Sequence, residues 1–411
     1  MGDTCNSRGF TWLVKSCITD SCREVATSPA TNHRRHHDYL PCFTTAAQSI
    51  LSLPDDLLLD CFSRVPLPSL PSLSLVCRRF ALLLDSPAFN DLRRSSGRLT
   101  RFLLALSVSN LGHLTLASLP LPLPPDHHPS WAPPFSLRAD LVQGAFSQPR
   151  IAAIGRSIYI IGQGAALRYD SWTGAVSRCA PTLYPRKKFA VAAVGSMIYV
   201  AGGASRTSAV EEYDPETDVW RVVSEAPRRR YGCVGAAAGG VFYVIGGIRV
   251  GARPGEVDDE VARSAHACAG SLDAYHVRSK QWLRSRAAVP GGGCVVGACG
   301  AGPHVYVLAS HAVEVSFWRW EARGRRGGDW IRLESPPAPA GKLRRGGAVR
   351  FSCAAVGDDR LVALVYSSAG CGGQRGVESA MLVYDITAGE WSRGPDLPPE
   401  LRRAGCAFVE C

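Results

Sequence analysis

Fifteen cysteines, ten histidines and an excess of arginine are the side chains in this 411-residue chain that could do chemistry. A metal site needs thiol and imidazole ligands at fixed spacings, Cys-x-x-Cys above all. No two cysteines are so spaced. They lie scattered in apolar runs such as YGCVGA and AGCAFVEC, and so read as reduced, mostly buried thiols of a protein of the cytoplasm or nucleus. The HRRHH run from His33 to His37 could touch a metal or a phosphate. No second ligand cluster is spaced to join it, so it reads as solvated charge. The chain has no Gly-x-Ser-x-Gly elbow, no Walker loop and no His-Glu-x-x-His. Its glycine pairs are not followed by a helix start that could hold phosphate. The expectation is a non-catalytic protein without metal or cofactor.

Binding is the better prospect. The formal charge is +11, and basic residues recur in runs: Arg186-Lys187-Lys188, Arg228-Arg229-Arg230, Arg344-Arg345 and Arg402-Arg403. A guanidinium offers carboxylates a planar fork of donors. The runs therefore suggest an acidic protein partner, or else plain solubilising charge. Nucleic acid is disfavoured, because the arginines are not interleaved with a stacking platform of aromatics.

The runs fall where one sequence unit hands over to the next. RKKFAVAAVGSMIYVAGG followed by EEYDPETDVWRVVSEAP is the clearest unit. RRRYGCVGAAAGGVFYVIGG followed by LDAYHVRSKQWLRSRAAVP repeats it, and RIAAIGRSIYIIGQG followed by LRYDSWTGAVSRCAP precedes it. Each unit reads as four short strands: an apolar one, an alternating one ending in Gly-Gly, one ending in Tyr-Asp, and one carrying tryptophan. Trp220, Trp282, Trp330 and Trp391 share that last place in four units, and Val176 fills it in the earliest. With 41 glycines, 28 prolines and only 20% charged residues, the bulk of the chain suits strands and turns.

These units resemble the kelch repeat of β-propellers, over about 150–399. Gly202-Gly203 and Gly246-Gly247 match its glycine pair, Gly162-Gln163-Gly164 is a degraded pair, and the two later units have lost it. Five units are explicit (150–181, 186–227, 228–290, 291–337 and 344–399). The apolar FLLALSVSN and GHLTLASLP, then Trp131, would begin an opening blade, and the last stretch, 401–411, is expected to complete it as a closing strand. That makes six blades and removes the open sheet edges. In kelch propellers the loops linking the units rim the central mouth, where basic residues hold acidic peptide segments. The resemblance thus implies a target-binding rim of Lys188, Arg230, Arg345 and Arg403.

Ahead of the repeats, Ile50 to Arg94 is helical in pattern. Leu53, Leu57, Leu58, Phe62 and Val65 lie on one helix face, and Leu70, Leu73, Val76, Cys77 and Phe80 on that of a second. Pro54 before Asp55-Asp56 is a helix start, Ser69 is placed to cap the second helix, and Asp85-Ser86-Pro87 reads as a stop. About 45 residues enclose only a small core, so the surplus leucine calls for another surface: a partner, or the following domain. LPDDLLLDCFSRVPLPSLPSLSLVCRRFALLLDSPAF is similar to an F-box. Leu53-Pro54, the acidic pair, Val76-Cys77-Arg78-Arg79 and Ser86-Pro87-x-Phe89 match. Phe80 stands at the usual tryptophan, and Pro71 departs from a leucine. The resemblance implies docking onto a Skp-type adaptor of an SCF ubiquitin ligase by Leu53, Pro54, Leu57, Leu58, Phe62, Leu73, Val76, Cys77 and Phe80.

The fold expected is mainly β: a disordered arm over 1–49, a small α-helical F-box over 50–94, and a six-bladed kelch propeller over 100–411. Phe102 to Pro125 lacks charge, yet Asn110, His113 and three prolines argue for buried strands over a membrane helix. No signal peptide is read at the start. Together the two resemblances describe a plant-type F-box/kelch protein, the substrate receptor of an SCF ligase. It would bind the adaptor, through it cullin, and a target protein, for which the family suggests an enzyme or regulator of phenylpropanoid and flavonoid synthesis. The rivals are a kelch scaffold that does not degrade its partner and a metal-dependent catalytic propeller. The insertions 248–271 and 367–379 suit either specificity loops or disordered surface.

Overall fold

The computed structural model describes residues 49–108, 113–121, 130–138, 145–146, 148–204, 206–250, 268–283, 287–311, 314–322, 327–337, 349–368, 377–401 and 404–411. The His33–His37 run, Arg345, Arg403 and most of both insertions lie outside them. The chain divides into two units, Met1–Arg98 and Leu99–Cys411.

Among its described residues the first unit holds four α-helices: α1 (Asp55–Ser63), α2 (Leu70–Ser74), α3 (Arg78–Leu84) and α4 (Pro87–Ser95). Asp55 and Asp56 occupy the first turn of α1, where they complement the helix dipole. Leu58, Phe62, Leu70, Phe80, Leu84 and Phe89 form the core, with the Phe62 and Phe80 rings edge to face at 4.7 Å.

Three sequence expectations change here. The second helix is two helices, because Cys77 is extended (φ −160°, ψ 164°) and separates α2 from α3. The Ser74 hydroxyl donates to the Pro71 carbonyl at the end of α2, a local bond that competes with helix continuation. Ser69 makes no side-chain cap. The Asp85-Ser86-Pro87 stop is also a restart, since Ser86 Oγ accepts the Phe89 amide and caps α4. Inside α4, Arg93 lies buried and donates to the carbonyls of Ser63, Val65 and Arg98.

The second unit is a six-bladed β-propeller. Blade 2 is built from Arg150–Ile154, Ser157–Ile161, Ala166–Asp170 and Val176–Cys179. Blade 3 is Ala190–Val194, Met197–Ala201, Ala209–Asp214 and Val219–Glu225. Blade 4 is Val234–Ala238, Val241–Ile245, Leu272–His276 and Gln281–Leu283. Blade 5 is Cys294–Ala301, His304–Ser310, Val315–Ala322 and Gly328–Leu333. Blade 6 is Val349–Val356, Arg360–Ser368, Val377–Asp385 and Glu390–Arg393. Blade 1 takes three strands from early in the unit, Arg101–Val108, His113–Leu121 and Phe135–Arg138. The fourth is Gly405–Glu410, which pairs antiparallel with Arg101–Val108. The described parts of the uncharged stretch, 102–108 and 113–121, are thus the two middle strands of a sheet. Among the described residues no helix is long and apolar enough to cross a membrane.

The first strand of each of blades 2 to 6 touches the first strand of its neighbour, and Gly405–Glu410 completes the circle between blades 6 and 2. Small side chains make this ring of strands possible. A Cβ at Gly300 would land on the Ala237 carbonyl, and one at Gly235 on the Val191 backbone. Tryptophan joins blades further out. In register Trp220, Trp282, Trp330 and Trp391 oppose Tyr213, Tyr275, Trp320 and Tyr384. Three of them reach the end of the preceding blade: Trp220 Nε1 donates to Ala180 O (2.8 Å), Trp282 Nε1 to Ser224 Oγ (3.0 Å) and Trp391 Nε1 to Glu334 O (2.8 Å). Trp131 does the same for blade 1, donating to Pro395 O.

Candidate functional site

Each unit offers one surface. On the helical unit the residues singled out from sequence divide. Leu58, Phe62 and Phe80 are buried among the helices and are unavailable to a partner; they hold the unit together. Pro54 is exposed, Leu53, Leu73 and Cys77 are half-buried, and Leu57 (49%) and Val76 (46%) stand out as exposed apolar side chains. Sequence reasoning missed three more: Leu51, Leu75 (82% exposed) and Leu82 (62% exposed). Leu75 and Leu82 lie off the stripe of Leu70, Leu73, Val76 and Phe80, and Leu51 precedes the first helix, so a reading built on the two stripes passed over them. Five large apolar side chains so displayed on one small unit are more than scattered surface residues explain, and they mark a candidate interaction surface.

Leu51 and Leu57 come from the chain around α1, and Leu75, Val76 and Leu82 from α2, α3 and the turn between them; Arg79 of α3 links the two segments. Its Nη1 donates to the Leu51 carbonyl (2.6 Å), its Nη2 to the Leu53 carbonyl (2.7 Å), and Nε and Nη2 both reach Asp55 Oδ1.

On the propeller, the basic runs turn out to have two kinds of member. Arg186 Nε donates to Glu211, and its other nitrogens to the carbonyls of Gly202 and Ala209. Arg230 repeats this one blade on: Nε and Nη2 bind Asp273, and Nη1 binds the Gly246 carbonyl. Both arginines are almost fully buried, Arg230 at 0%. Arg230 is therefore not a rim residue with a free fork. It is an internal pin for the glycine-pair loop of its own blade, and the expectation that it binds a target is corrected. Counted back from the glycine pair, Arg230 corresponds to Arg186 and not to Lys188. Glu211 and Asp273, two residues before the repeat tyrosine, were the overlooked signal.

What remains at the surface beside these pins is a mixed patch. Lys188 sits half-buried at φ 50°, its Nζ 5.4 Å from the centre of the Tyr231 ring. Lys187 and Arg229 are exposed. Tyr231 pairs with Ile248 in an extra two-stranded ribbon, Arg230–Tyr231 with Ile248–Arg249, which the four-strand repeat did not suggest. Ile248 of the ribbon, and Leu183 and Tyr184 ahead of Arg186, are exposed apolar residues.

The His311–Ser316 pair and two of the buried thiols are poorly placed for chemistry. His311 Nε2 lies 2.8 Å from Ser316 Oγ, but that oxygen also accepts from Trp318 Nε1 and the serine is buried. Burial pushes the Cys233 thiol up and Cys406 to about 11, which keeps both protonated. Among the described residues no group of three His, Cys, Asp or Glu side chains could hold a metal.

Comparison with known proteins bears on both surfaces. Residues 50–92 match the F-box domain and residues 185–227 the Kelch motif. Over 100% of both chains this protein is 47% identical to the F-box/kelch-repeat protein At5g26960 of Arabidopsis thaliana. The chain belongs to the F-box/kelch-repeat family. A second Arabidopsis F-box/kelch-repeat protein, At1g67480, is 30% identical across 48% of this chain and 54% of its own. The Arabidopsis F-box/kelch-repeat protein OR23 is 28% identical across 45% of this chain and 51% of its own. Among solved structures, that of YjhT aligns with 62% of this chain and 84% of that chain at 19% identity and a TM-score of 0.45. That likeness is too loose to add to the strand pairing. F-box/kelch-repeat proteins are typically non-catalytic adaptors.

Proposed function

We propose that this F-box/kelch-repeat protein is the substrate-recognition subunit of an SCF-type ubiquitin ligase in the cytoplasm or nucleus. The helical unit binds a Skp-type adaptor and, through it, cullin. The propeller holds a target protein for ubiquitination and proteasomal degradation. The observation that carries the reading is the pairing of an F-box match over 50–92 with the exposed apolar side chains Leu57, Leu75, Val76 and Leu82 in that segment. The protein contributes proximity and orientation and no bond chemistry of its own.

Lys188, with Lys187 and Arg229, would meet an acidic segment of the target, beside an apolar contact at Tyr184 and Ile248. Arg345 and Arg403, which lie outside the described residues, would extend that rim. An enzyme or regulator of plant secondary metabolism is the first target class to test.

Co-purification of the full-length protein with a plant Skp-type adaptor and cullin tests the reading, beside Leu57→Ala/Val76→Ala. Wild type should bring both down, and the double variant, whose core residues are untouched, should lose them. If wild type binds no adaptor, the protein is a kelch scaffold that holds its partner without degrading it.

A further inference from the structure

Arg79, three residues beyond Val76 and three before Leu82, binds three groups of the segment that carries Leu51. The segment it holds, Leu51 to Asp55, has little else to fix it. Its 3₁₀ turn, Ile50–Ser52, buries no residue. Its other hydrogen bonds are short-range contacts of the turn and of the helix start: Ser52 N and Oγ to Ser49 O, Leu53 N to Ile50 O, the Ser49 side-chain cap, and Leu58 N to Pro54 O, the first bond of α1. A three-residue turn with no buried side chain is not stable by itself. The guanidinium supplies what is missing. Its Nη1 and Nη2 take the carbonyls of Leu51 and Leu53, and Nε and Nη2 the Asp55 carboxylate, all within 2.5–2.8 Å. Arg79 itself belongs to α3, which is anchored in the core by Phe80 and Leu84.

From this geometry we infer that Arg79 is a positioning residue for partner binding. It presets the Leu51–Pro54 segment against the part bearing Leu75, Val76 and Leu82, so that the two parts meet a partner as one surface. The inference rests on the adaptor-docking reading above. Its physical basis is preorganisation: a segment ordered before binding does not lose its freedom in the complex. Lysine cannot replace the arginine, because a single ammonium on a flexible stem does not span two carbonyls and a carboxylate in a planar fork. Asp55→Asn keeps the two carbonyl bonds and weakens the third, so its effect should be intermediate.

The test uses the full-length protein and a plant Skp-type adaptor. Adaptor affinity is measured for wild type, Arg79→Lys, Arg79→Ala and Asp55→Asn, with Leu57→Ala as a contact control. Amide hydrogen exchange is followed in the same free proteins. Expected for both Arg79 variants is a loss of affinity of about tenfold or more, the scale of one well-placed charged hydrogen bond. Exchange should quicken at Leu51–Leu53 while α1 (Leu58–Ser63) keeps its protection. Unchanged affinity in Arg79→Lys and Arg79→Ala, with Leu57→Ala weakened, overturns the positioning role and leaves the docking reading standing. Equal loss of protection across α1 also overturns it, since Arg79 would then merely hold the fold. If wild type binds no adaptor, the docking reading fails, and the inference with it.

Discussion

An arginine without access to water must find a protein partner for its charge. Arg230 finds one in Asp273, with a carbonyl from the Gly246-Gly247 turn, and Arg186 finds Glu211 and the Gly202 carbonyl in the same geometry one blade earlier. Removing one member of such a buried pair leaves the other charge stranded, at a cost of about 3–5 kcal/mol. Arg230→Met should therefore lower the melting temperature of the propeller by many degrees, whereas Lys188→Ala, at a half-buried position with no ion pair among the described residues, should stay within about 0.5 kcal/mol of wild type. A thermal melt of the two variants side by side checks this; a stable Arg230→Met protein that has lost its target would restore Arg230 to the rim. The sequence did signal that basic residues repeat at the unit boundaries. It did not reveal which of them point inward, because an arginine run reads alike on a surface and in a pin. Only the acid two places before each repeat tyrosine, Glu211 and Asp273, tells the two apart.

Among elements, strands were more legible than helices, for a geometric reason. A strand's partner is fixed once the turn and the cross-strand pair are known. The Tyr384–Trp391 pair keeps blade 6 in register although its glycine pair is gone, and Trp320–Trp330 does so in blade 5. The helical period over Leu70–Phe80 is satisfied equally by one helix or by two with a break, so α2 and α3 were indistinguishable from a single helix; the exposed Leu75, off its apolar stripe, went unseen. Glycines inside strands carried meaning that the repeat pattern did not convey. Gly300 and Gly235 sit on first strands where a neighbouring blade's backbone passes too close for any Cβ. Gly300→Ala should push blades 4 and 5 apart, with a destabilisation of at least about 1–3 kcal/mol, the usual range for overpacking. Gly239→Ala meets nothing within 4 Å, but its φ of 56° makes it a strained control and not a neutral one. The better comparison is Ala298→Gly, which removes a methyl from the same strand without a clash. Urea melts of the two should differ, Gly300→Ala having the lower midpoint; equal midpoints would mean that the blades have room to separate.

At the scale of the molecule, the ring depends on a strand from the far end of the chain. Gly405–Glu410 gives blade 1 its fourth strand. Thr100 and Cys411 exchange backbone hydrogen bonds, and Arg101 pairs with Glu410. Leu401 and Cys406 pack in one cluster with Leu103 of blade 1 and Leu364 and Tyr366 of blade 6, and the Tyr366 hydroxyl donates to the Ala404 carbonyl. Ending the chain at Glu400 would remove all of this at once. Leu401 and Val409 alone, both essentially unexposed, represent about 3–6 kcal/mol of buried apolar surface, set against about 5–15 kcal/mol for the stability of a whole domain. The truncation would also lay bare Arg101–Val108 as an edge strand and open the ring between blades 6 and 2. The loss should therefore be shared by every blade: calorimetry should show the whole β transition moved down, with no separate low-temperature step for blade 1. A propeller transition unchanged in temperature and enthalpy would mean that five blades and three strands hold themselves closed, and that the last strand is an ornament of the ring and not its clasp.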